Sequence, residues 1–199
     1  MSELRNADGQ NSDEFMKAYK KAGWPDPALT ADVILLSIVD NKPGVLLAKR
    51  SNFPDIGQWA FPGGFVEKDE SCEEAAAREL AEETSLKDLE LEQSHTVSTP
   101  GRDPRARIAS ICYMGFVPEP LKCVHGSDAA DCKWFSIDYA AKDNLYELVL
   151  KASGTTIKAT LKVVRLANGK VDINRTEIVE KDGIAFDHAK SILYCIEGL

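Results

Sequence analysis

Runs of apolar and alternating residues along this chain predict several strands and three helices. Residues 31–39 form a continuous apolar run of strand length, and a turn containing Pro43 and Gly44 separates it from a second run at 45–49. This pair predicts a β-hairpin with at least one buried strand. The same criteria predict further elements, which are strands at 91–97, 107–117 and 133–137 and helices at 12–23, 71–84 and 185–197.

The C-terminal quarter has a different pattern, because its apolar residues alternate with polar ones. Alternation predicts strands at 145–150, 156–165 and 171–179, and the pair Asn168-Gly169 predicts a hairpin between the last two. Strands followed by a helix, more strands and a closing helix indicate a layered α+β domain. We therefore divide the chain into two parts, which are an N-terminal helix and loop at 1–29 and one main domain at 30–199, with a β-rich insertion at 145–183 and a closing helix at 185–198. Residues 139–144 are a weak candidate for a linker.

Composition and charge narrow the classes of function. The chain has 199 residues with 44% hydrophobic content, enough for one domain with a substantial core. A net charge of −8 and a pI near 5.0 argue against a large non-specific nucleic-acid surface. No apolar stretch reaches the roughly 20 residues that span a bilayer, and the polar N-terminus lacks a secretory pattern. We expect a cytoplasmic protein without a membrane partner. The five cysteines include no CxxC pair, which argues against structural zinc.

The helix at 71–84 carries the candidate chemistry. Ser71 and Glu74 form the sequence pattern of a capping box, which sets the start of the helix. Glu79, Glu82 and Glu83 are three and four residues apart, so they share one helix face and repel one another. A divalent cation would remove this repulsion, and carboxylates without nearby histidine or thiolate favour Mg²⁺, or alternatively Mn²⁺. Metal at this face would suit diphosphate hydrolysis.

A solvated, glutamate-rich helix face is the simpler interpretation of those three residues. The surrounding residues favour the metal site. Glu70 enters just before the helix and can complete a ligand shell or align a water, and Arg78 lies one turn from Glu82. Six fixed positions of this pattern would coincide by chance with odds of roughly 10⁻⁷ per starting position.

The segment from residue 64 to residue 86 resembles the Nudix box, G-x5-E-x7-R-E-U-x-E-E-x-G-U, where U is aliphatic. The matching residues are Gly64, Glu70, Arg78, Glu79, Leu80, Glu82, Glu83 and Leu86. The last glycine of the pattern is Ser85 here, at a helix end where a left-handed residue is often needed. This substitution removes no metal ligand.

The resemblance implies a Nudix-type α/β/α sandwich with a mixed sheet, extended by a C-terminal β-hairpin before the last helix. It also implies the roles of the box residues. The principal metal ligands would be Glu79, Glu82 and Glu83, assisted by the Gly64 carbonyl. The catalytic group would be Glu70, Arg78, Glu79, Glu82 and Glu83. The Gly63 backbone would approach the phosphates closely.

The segment Thr99–Arg105 contains Arg102, Asp103 and Arg105, and it suggests the substrate class. Turn chemistry alone is an equally good explanation of these residues, but arginines suit bidentate phosphate recognition. The segment resembles an element of ADP-ribose pyrophosphatases and of NrtR-type regulators. The same resemblance makes Asp128 a candidate general base, although a turn or cap residue is the alternative. Trp59 could stack on a base or ribose, although a core position is the more common role of tryptophan.

Three functions remain open at this stage. The first is hydrolysis of a diphosphate linkage in a small nucleotide, such as ADP-ribose or a nucleotide sugar. The second is an NrtR-like regulator that senses ADP-ribose; residues 145–183 look like strands rather than the winged helix such regulators carry, and every metal ligand of the box is retained, so the enzyme is favoured. The third is sanitation of oxidised nucleotides or hydrolysis of dinucleotide polyphosphates. The resemblance also allows a homodimer with exchanged N-terminal contacts.

Overall fold

The computed structural model describes residues 5–21, 27–126 and 129–198, except for the side chains of 18–21. Within these residues the helices are α1 (Ser12–Lys21), α2 (Cys72–Thr84) and α3 (His188–Ile196). The strands are β1 (Ala28–Val39), β2 (Lys42–Arg50), β3 (Trp59–Ala60), β4 (Gly63–Phe65), β5 (Glu92–Val97), β6 (Ile108–Phe116), β7 (Ala129–Lys142), β8 (Leu145–Ala152), β9 (Thr155–Lys162) and β10 (Glu177–Asp182). In the part of the chain so described, no helix is long and apolar enough to cross a membrane.

All of these strands join one mixed sheet. The order is β10-β9-β8-β7-β2-β1-β6-β5, with the short β3 beside β2 and β4 beside β1. Only β1 and β6 run parallel among the paired strands described, while the others pair antiparallel. The predicted hairpin of β1 and β2 is confirmed, and most of β1 is buried, as its continuous apolar run indicates.

The two faces of the sheet carry separate apolar clusters. Successive side chains of a strand point to opposite faces, so Val33 and Leu35 of β1 pack with α2, whereas Ile34 and Leu36 join the cluster that contains α3. The sheet therefore lies between two helical layers. This arrangement confirms the predicted α+β sandwich with a mixed sheet.

The C-terminal strands extend the main sheet and differ in detail from the predicted hairpin. β7 pairs with β8 across the turn at 143–144, so the linker candidate at 139–144 lies within a continuous β-hairpin. β8, β9 and β10 then add three antiparallel strands beyond β7. The predicted strand at 171–179 is wrong, because β10 begins only at Glu177.

A local turn explains that error. Asn168-Gly169 does form a tight turn, but it closes only a single bridge between Arg165 and Val171. The Asp172 side chain accepts hydrogen bonds from the backbone and side chain of Arg175, and these bonds compete with strand pairing. The strand therefore resumes only after this turn.

The N-terminal helix begins where expected. Asn11 and Glu14 form reciprocal side chain to backbone hydrogen bonds of 2.9 Å, so Asn11 provides the cap. The helix is described as far as Lys21, and the last two residues of the predicted segment 12–23 lie outside the described residues.

Candidate functional site

Helix α2 presents the glutamate face, and both of its ends are fixed by specific side chains. At the start, Ser71 accepts a hydrogen bond from the Glu74 amide while Glu74 accepts one from the Ser71 amide, which confirms the predicted capping box. At the end, Ser85 adopts a left-handed conformation with φ of 61°, and its hydroxyl donates to the Val124 carbonyl. The left-handed backbone expected at the family glycine is therefore present with serine.

The side chain of Arg78 organises the carboxylates of this region. Its guanidinium donates to both oxygens of Glu70, with a shortest distance of 2.6 Å, and to Glu79 Oε1 at 2.8 Å. A longer bond of 3.3 Å reaches Glu82, and the Phe65 carbonyl accepts a fifth bond. The bond from Arg78, together with the Glu67 amide, lowers the pKa of Glu70 to about 2, so this carboxylate stays ionised.

Glu79 and Glu83 lie against the glycines of β4. A Cβ atom on Gly64 would come within 2.2 Å of Glu79 Oε1, so a side chain at this position would displace the carboxylate from where it lies. The Gly63 amide bonds to Glu83. Burial and the charge of Glu79 nevertheless raise the pKa of Glu83 to about 8. Burial also raises the pKa of Glu79. Two partly buried carboxylates therefore stand close together without full compensation of their charge.

These observations fit a divalent metal site. The groups are all oxygen donors, a cation would offset their like charges, and Gly64 leaves space beside Glu79. Across residues 5–21, 27–126 and 129–198, however, no three acidic, histidine or cysteine side chains form a ready-made metal cage. Arg78 instead attracts Glu79 and Glu82, so these carboxylates would have to turn from Arg78 towards a bound cation.

The Thr99–Arg105 segment contains two arginines that differ in their burial and in their ion-pair partners. Arg102 makes a bidentate ion pair with Asp187, at 2.6 Å for the shortest contact, and both side chains are almost fully buried. Arg105 pairs with the buried Asp103 at 2.7 Å, but its side chain remains 38% exposed. Arg105 is therefore accessible to a ligand, whereas the guanidinium of Arg102 is buried in its ion pair with Asp187.

Two adjoining cavities lie beside the glutamate face. The larger has a volume of about 310 Å³ and is lined in part by Glu83 and Gly63. The smaller, of about 60 Å³, is lined in part by Arg102 and Arg105. Arg50 and Gly63 line both, so Arg50 lies between the acidic and the basic sides of the site. Burial and the nearby charge of Arg105 lower the pKa of Arg50.

Trp59, one of the sequence candidates, does not line either cavity. Trp59 is only 4% exposed and packs edge-on against Phe135 in the core, so the substrate-stacking role is wrong and the core alternative is confirmed. Asp128 lies outside the described residues, so its role as a general base stays a prediction.

A comparison with known families identifies the fold and the box together. The model of the NUDIX domain matches residues 28–152, which is more than half of the chain. The chain belongs to the NUDIX family. The match includes the glutamate face of α2, the glycines of β4 and the Thr99–Arg105 segment.

The curated NUDIX relatives include a regulator and an enzyme. The chain is 30% identical over 133 residues to the ADPR responsive transcriptional repressor NtrR of Acinetobacter baylyi, covering 66% of this chain and 53% of that protein. It is 39% identical over 117 residues to the ADP-ribose pyrophosphatase of Methanocaldococcus jannaschii, covering 58% of this chain and 66% of that protein. The chain thus spans about half to two thirds of the length of these relatives.

Solved structures of NUDIX proteins show the same fold. A MutT/nudix family protein from Enterococcus faecalis superposes with a TM-score of 0.71 at 29% identity, covering 95% of this chain and 69% of that chain. The NUDIX domain of Shewanella oneidensis NrtR, complexed with ADP ribose, superposes with a TM-score of 0.57 at 32% identity, covering 64% of this chain and 84% of that one.

Sequence reasoning missed several residues of the NUDIX pocket. Asp32 is buried in β1, accepts a hydrogen bond from Ser110 and lines the smaller cavity, and burial raises its pKa to about 6. It is the one charged residue in the apolar run 31–39, a signal that could have identified it. Arg50 and Phe186 gave no such signal, because only folding brings these distant positions together.

Asp187 and His188, which precede and begin α3, have structural roles beside the NUDIX pocket. The buried His188 accepts a hydrogen bond from the Phe61 amide at 3.0 Å and stacks on the Phe61 ring at 4.5 Å. Burial lowers the pKa of His188 to about 3, so this histidine remains neutral. This environment is that of a structural histidine rather than of a catalytic base.

Proposed function

We propose that this chain is a metal-dependent hydrolase that cleaves the diphosphate linkage of a small nucleoside diphosphate derivative, with ADP-ribose as the first candidate. One observation carries the proposal: Glu83, from the glutamate face of α2, lines a cavity that adjoins a second cavity lined by Arg50 and Arg105. Acidic groups that can hold a cation and basic groups that can hold phosphate oxygens thus lie on two sides of one pocket. A substrate with a diphosphate matches both sides.

The cation of this proposal is Mg²⁺, with Mn²⁺ as a substitute. Glu79, Glu82, Glu83 and the Gly64 carbonyl would hold it, and all of these are oxygen ligands that suit a hard divalent ion. When bound, it would supply charge neutralisation at the diphosphate and a lowered pKa for bound water.

The residues of the chain itself would bind and orient the substrate. Arg105 would donate from its exposed guanidinium to phosphate oxygens, while Asp103 holds the base of its side chain in place. Arg50 would contact the same diphosphate from the opposite side, since it lines both cavities. Arg102 would keep the wall of the pocket in place through its ion pair with Asp187. Glu70 would hold Arg78 and thereby orient Glu79 and Glu82.

Similarity supports ADP-ribose as the ligand and leaves one alternative function. One relative is an ADP-ribose pyrophosphatase, and one similar structure contains ADP ribose. The similarity to a repressor favours a second candidate, in which the chain binds ADP-ribose without hydrolysing it and controls transcription. The complete set of box glutamates favours the hydrolase, because a pure sensor would not require all of them.

The test is a hydrolysis assay with Mg²⁺ or Mn²⁺ over a panel of substrates. The panel contains ADP-ribose, NADH, nucleotide sugars, dinucleotide polyphosphates and oxidised nucleoside triphosphates. We expect a clear preference for ADP-ribose that chelation by EDTA abolishes. Preference for another member would preserve the reaction and change the substrate. Absence of turnover across the panel, together with tight binding of ADP-ribose, would contradict the hydrolase and support the sensor.

A further inference from the structure

Phe186 has a backbone conformation that bulky residues rarely adopt. It lies between β10 and α3, outside the segment that matches the family, and its φ is 48°, in the left-handed region. Side chains with a Cβ are disfavoured there, so the conformation persists only when neighbours hold it. Two neighbouring residues hold the Phe186 backbone by hydrogen bonds: its amide donates to Asp55 at 2.7 Å, and its carbonyl accepts from Lys181 at 2.6 Å.

The Phe186 ring contacts two of the three arginines that line the smaller cavity, Arg50 and Arg105. The guanidinium carbon of Arg50 is 4.8 Å from the ring centre, and that of Arg105 is 5.7 Å away. Arg105 is also 5.0 Å from the ring of Phe65. These distances are within the range of cation–π attraction. The backbone of Arg50 belongs to β2 and that of Arg105 to a distant loop, so the Phe186 ring is a contact that the two share.

We propose that Phe186 is a positioning residue that holds Arg50 and Arg105 together for binding the diphosphate of the substrate. The inference rests on the proposed function. Two guanidinium groups brought together repel each other, and the negative face of an aromatic ring offsets part of that repulsion. The strained backbone directs the ring into the pocket, and the Arg50 Nε bond to the Pro54 carbonyl, at 2.7 Å, fixes the other side of the contact.

A direct stacking platform for the nucleobase is the competing role for this ring. The ring is half-buried and already contacts two guanidinium groups and the His188 ring, 5.5 Å away. These contacts favour positioning over stacking. The two roles differ in the ligand they affect, because positioning acts on any diphosphate, whereas stacking acts only on a ligand that contains a base.

The experiment compares two ligands in the presence of Mg²⁺. Methylenediphosphonate carries a diphosphate analogue without base or ribose, and ADP-ribose carries all three parts. Binding of each is measured by calorimetry, and KM and kcat are measured for ADP-ribose. For Phe186→Leu we expect about tenfold weaker binding of both ligands and a KM increase that exceeds the change in kcat. Phe186→Tyr should restore most of the affinity because it keeps the aromatic face.

Two further variants test the same contact independently. Asp55→Asn weakens the hydrogen bond that holds the Phe186 backbone, so it should show the same pattern to a smaller extent. Phe186→Leu should weaken ligand binding less in the Arg105→Ala variant than in the wild type, because that variant already lacks one of the two arginines that contact the ring. Phe116→Leu, at the exposed end of β6, serves as a matched control that leaves binding unchanged.

The outcomes distinguish the proposals. Weaker binding of ADP-ribose alone, with methylenediphosphonate unaffected by Phe186→Leu, would assign the ring to base stacking and overturn the positioning role. Unchanged binding of both ligands would overturn it as well. If either of these two results is obtained and the wild-type protein hydrolyses ADP-ribose, the proposed function is still supported. A wild-type protein that neither binds nor hydrolyses any diphosphate would overturn the function and this inference together.

Discussion

At the scale of single residues, similar side chains have different roles because of their partners. Arg102 and Arg105 are three residues apart, yet one is buried with Asp187 and the other stays accessible beside Asp103. Glu70 and Glu83 likewise differ, since Arg78 lowers the pKa of the first while burial raises that of the second. Substitutions in these pairs should therefore have separable effects.

The glutamate face should be required for turnover and not for folding. Glu82→Gln and Glu83→Gln each replace a carboxyl group that is proposed to bind the cation, at a position outside the apolar clusters. We expect each to lower kcat by about a hundredfold or more, the effect typical of losing one electrostatic contact to the transition state. Melting temperatures should change little. Glu73→Gln, in the first turn of α2, makes the same charge change as a control. Wild-type rates for both variants would refute the metal site.

The arginine pair gives the second prediction, in which binding and stability separate. Arg105→Ala should raise KM for ADP-ribose about tenfold with a smaller change in kcat, because it removes a charge-assisted contact to bound phosphate. Arg102→Ala should instead lower the free energy of unfolding by about 3 kcal/mol, since Asp187 would remain buried without its partner. Steady-state kinetics and urea unfolding of both variants test this. Equal stability losses would contradict the assigned roles.

At the scale of secondary structure, the two ends of α2 show which elements local sequence defines. The capping box at its start is a short-range pattern, and the structure confirms it. Hairpins and buried strands of the first half were equally predictable, because apolar runs and turns are local. The segment 171–176 was not, because its turn depends on bonds from Asp172 that compete with strand pairing.

The C-terminal end of α2 provides the third prediction. Ser85 is left-handed, and both alanine and glycine at this position would lack its hydroxyl bond to Val124. The difference between Ser85→Ala and Ser85→Gly therefore isolates the cost of the left-handed backbone. We expect the glycine variant to be about 1 kcal/mol more stable than the alanine variant in urea unfolding. Equal stabilities would indicate that the helix end relaxes away from this conformation.

At the scale of the whole molecule, folding keeps His188 neutral, and this gives a pH dependence. Its pKa is lowered from 6.5 to about 3 by burial, so the unfolded chain binds more protons between these values. The contribution of His188 to stability should therefore decrease as the pH falls below about 6.5. The decrease amounts to about 2 kcal/mol by pH 5.

Comparison with a variant isolates this effect. Asp32 acts in the opposite direction, because burial raises its pKa to about 6, so the wild type alone would show a mixture of contributions. His188→Asn keeps an acceptor for the Phe61 amide and cannot be protonated. The stability advantage of the wild type over this variant, measured by urea unfolding, should shrink between pH 7 and pH 5. A constant difference would show that the ring is accessible to protons.

The site as a whole was predictable on its acidic side and less so on its basic side. The box residues are continuous in sequence, so their shared face follows from helical geometry. The pocket opposite combines Arg50, Arg105, Phe186 and His188, which are distant in sequence and come together only in the folded chain. The homodimer and the general base Asp128 stay predictions, as does the division of the chain at residue 30.

The position of Phe186 in the chain also determines when the pocket can be completed during synthesis. The strands and α2 are translated before residues 183–188, which bond to β3 through Gly183 and Ala185 and supply one wall of the pocket. A nascent chain on the ribosome therefore carries the glutamate face before the arginines acquire their shared aromatic contact. Ligand binding that requires both sides can begin only after residues 183–188 have been synthesised.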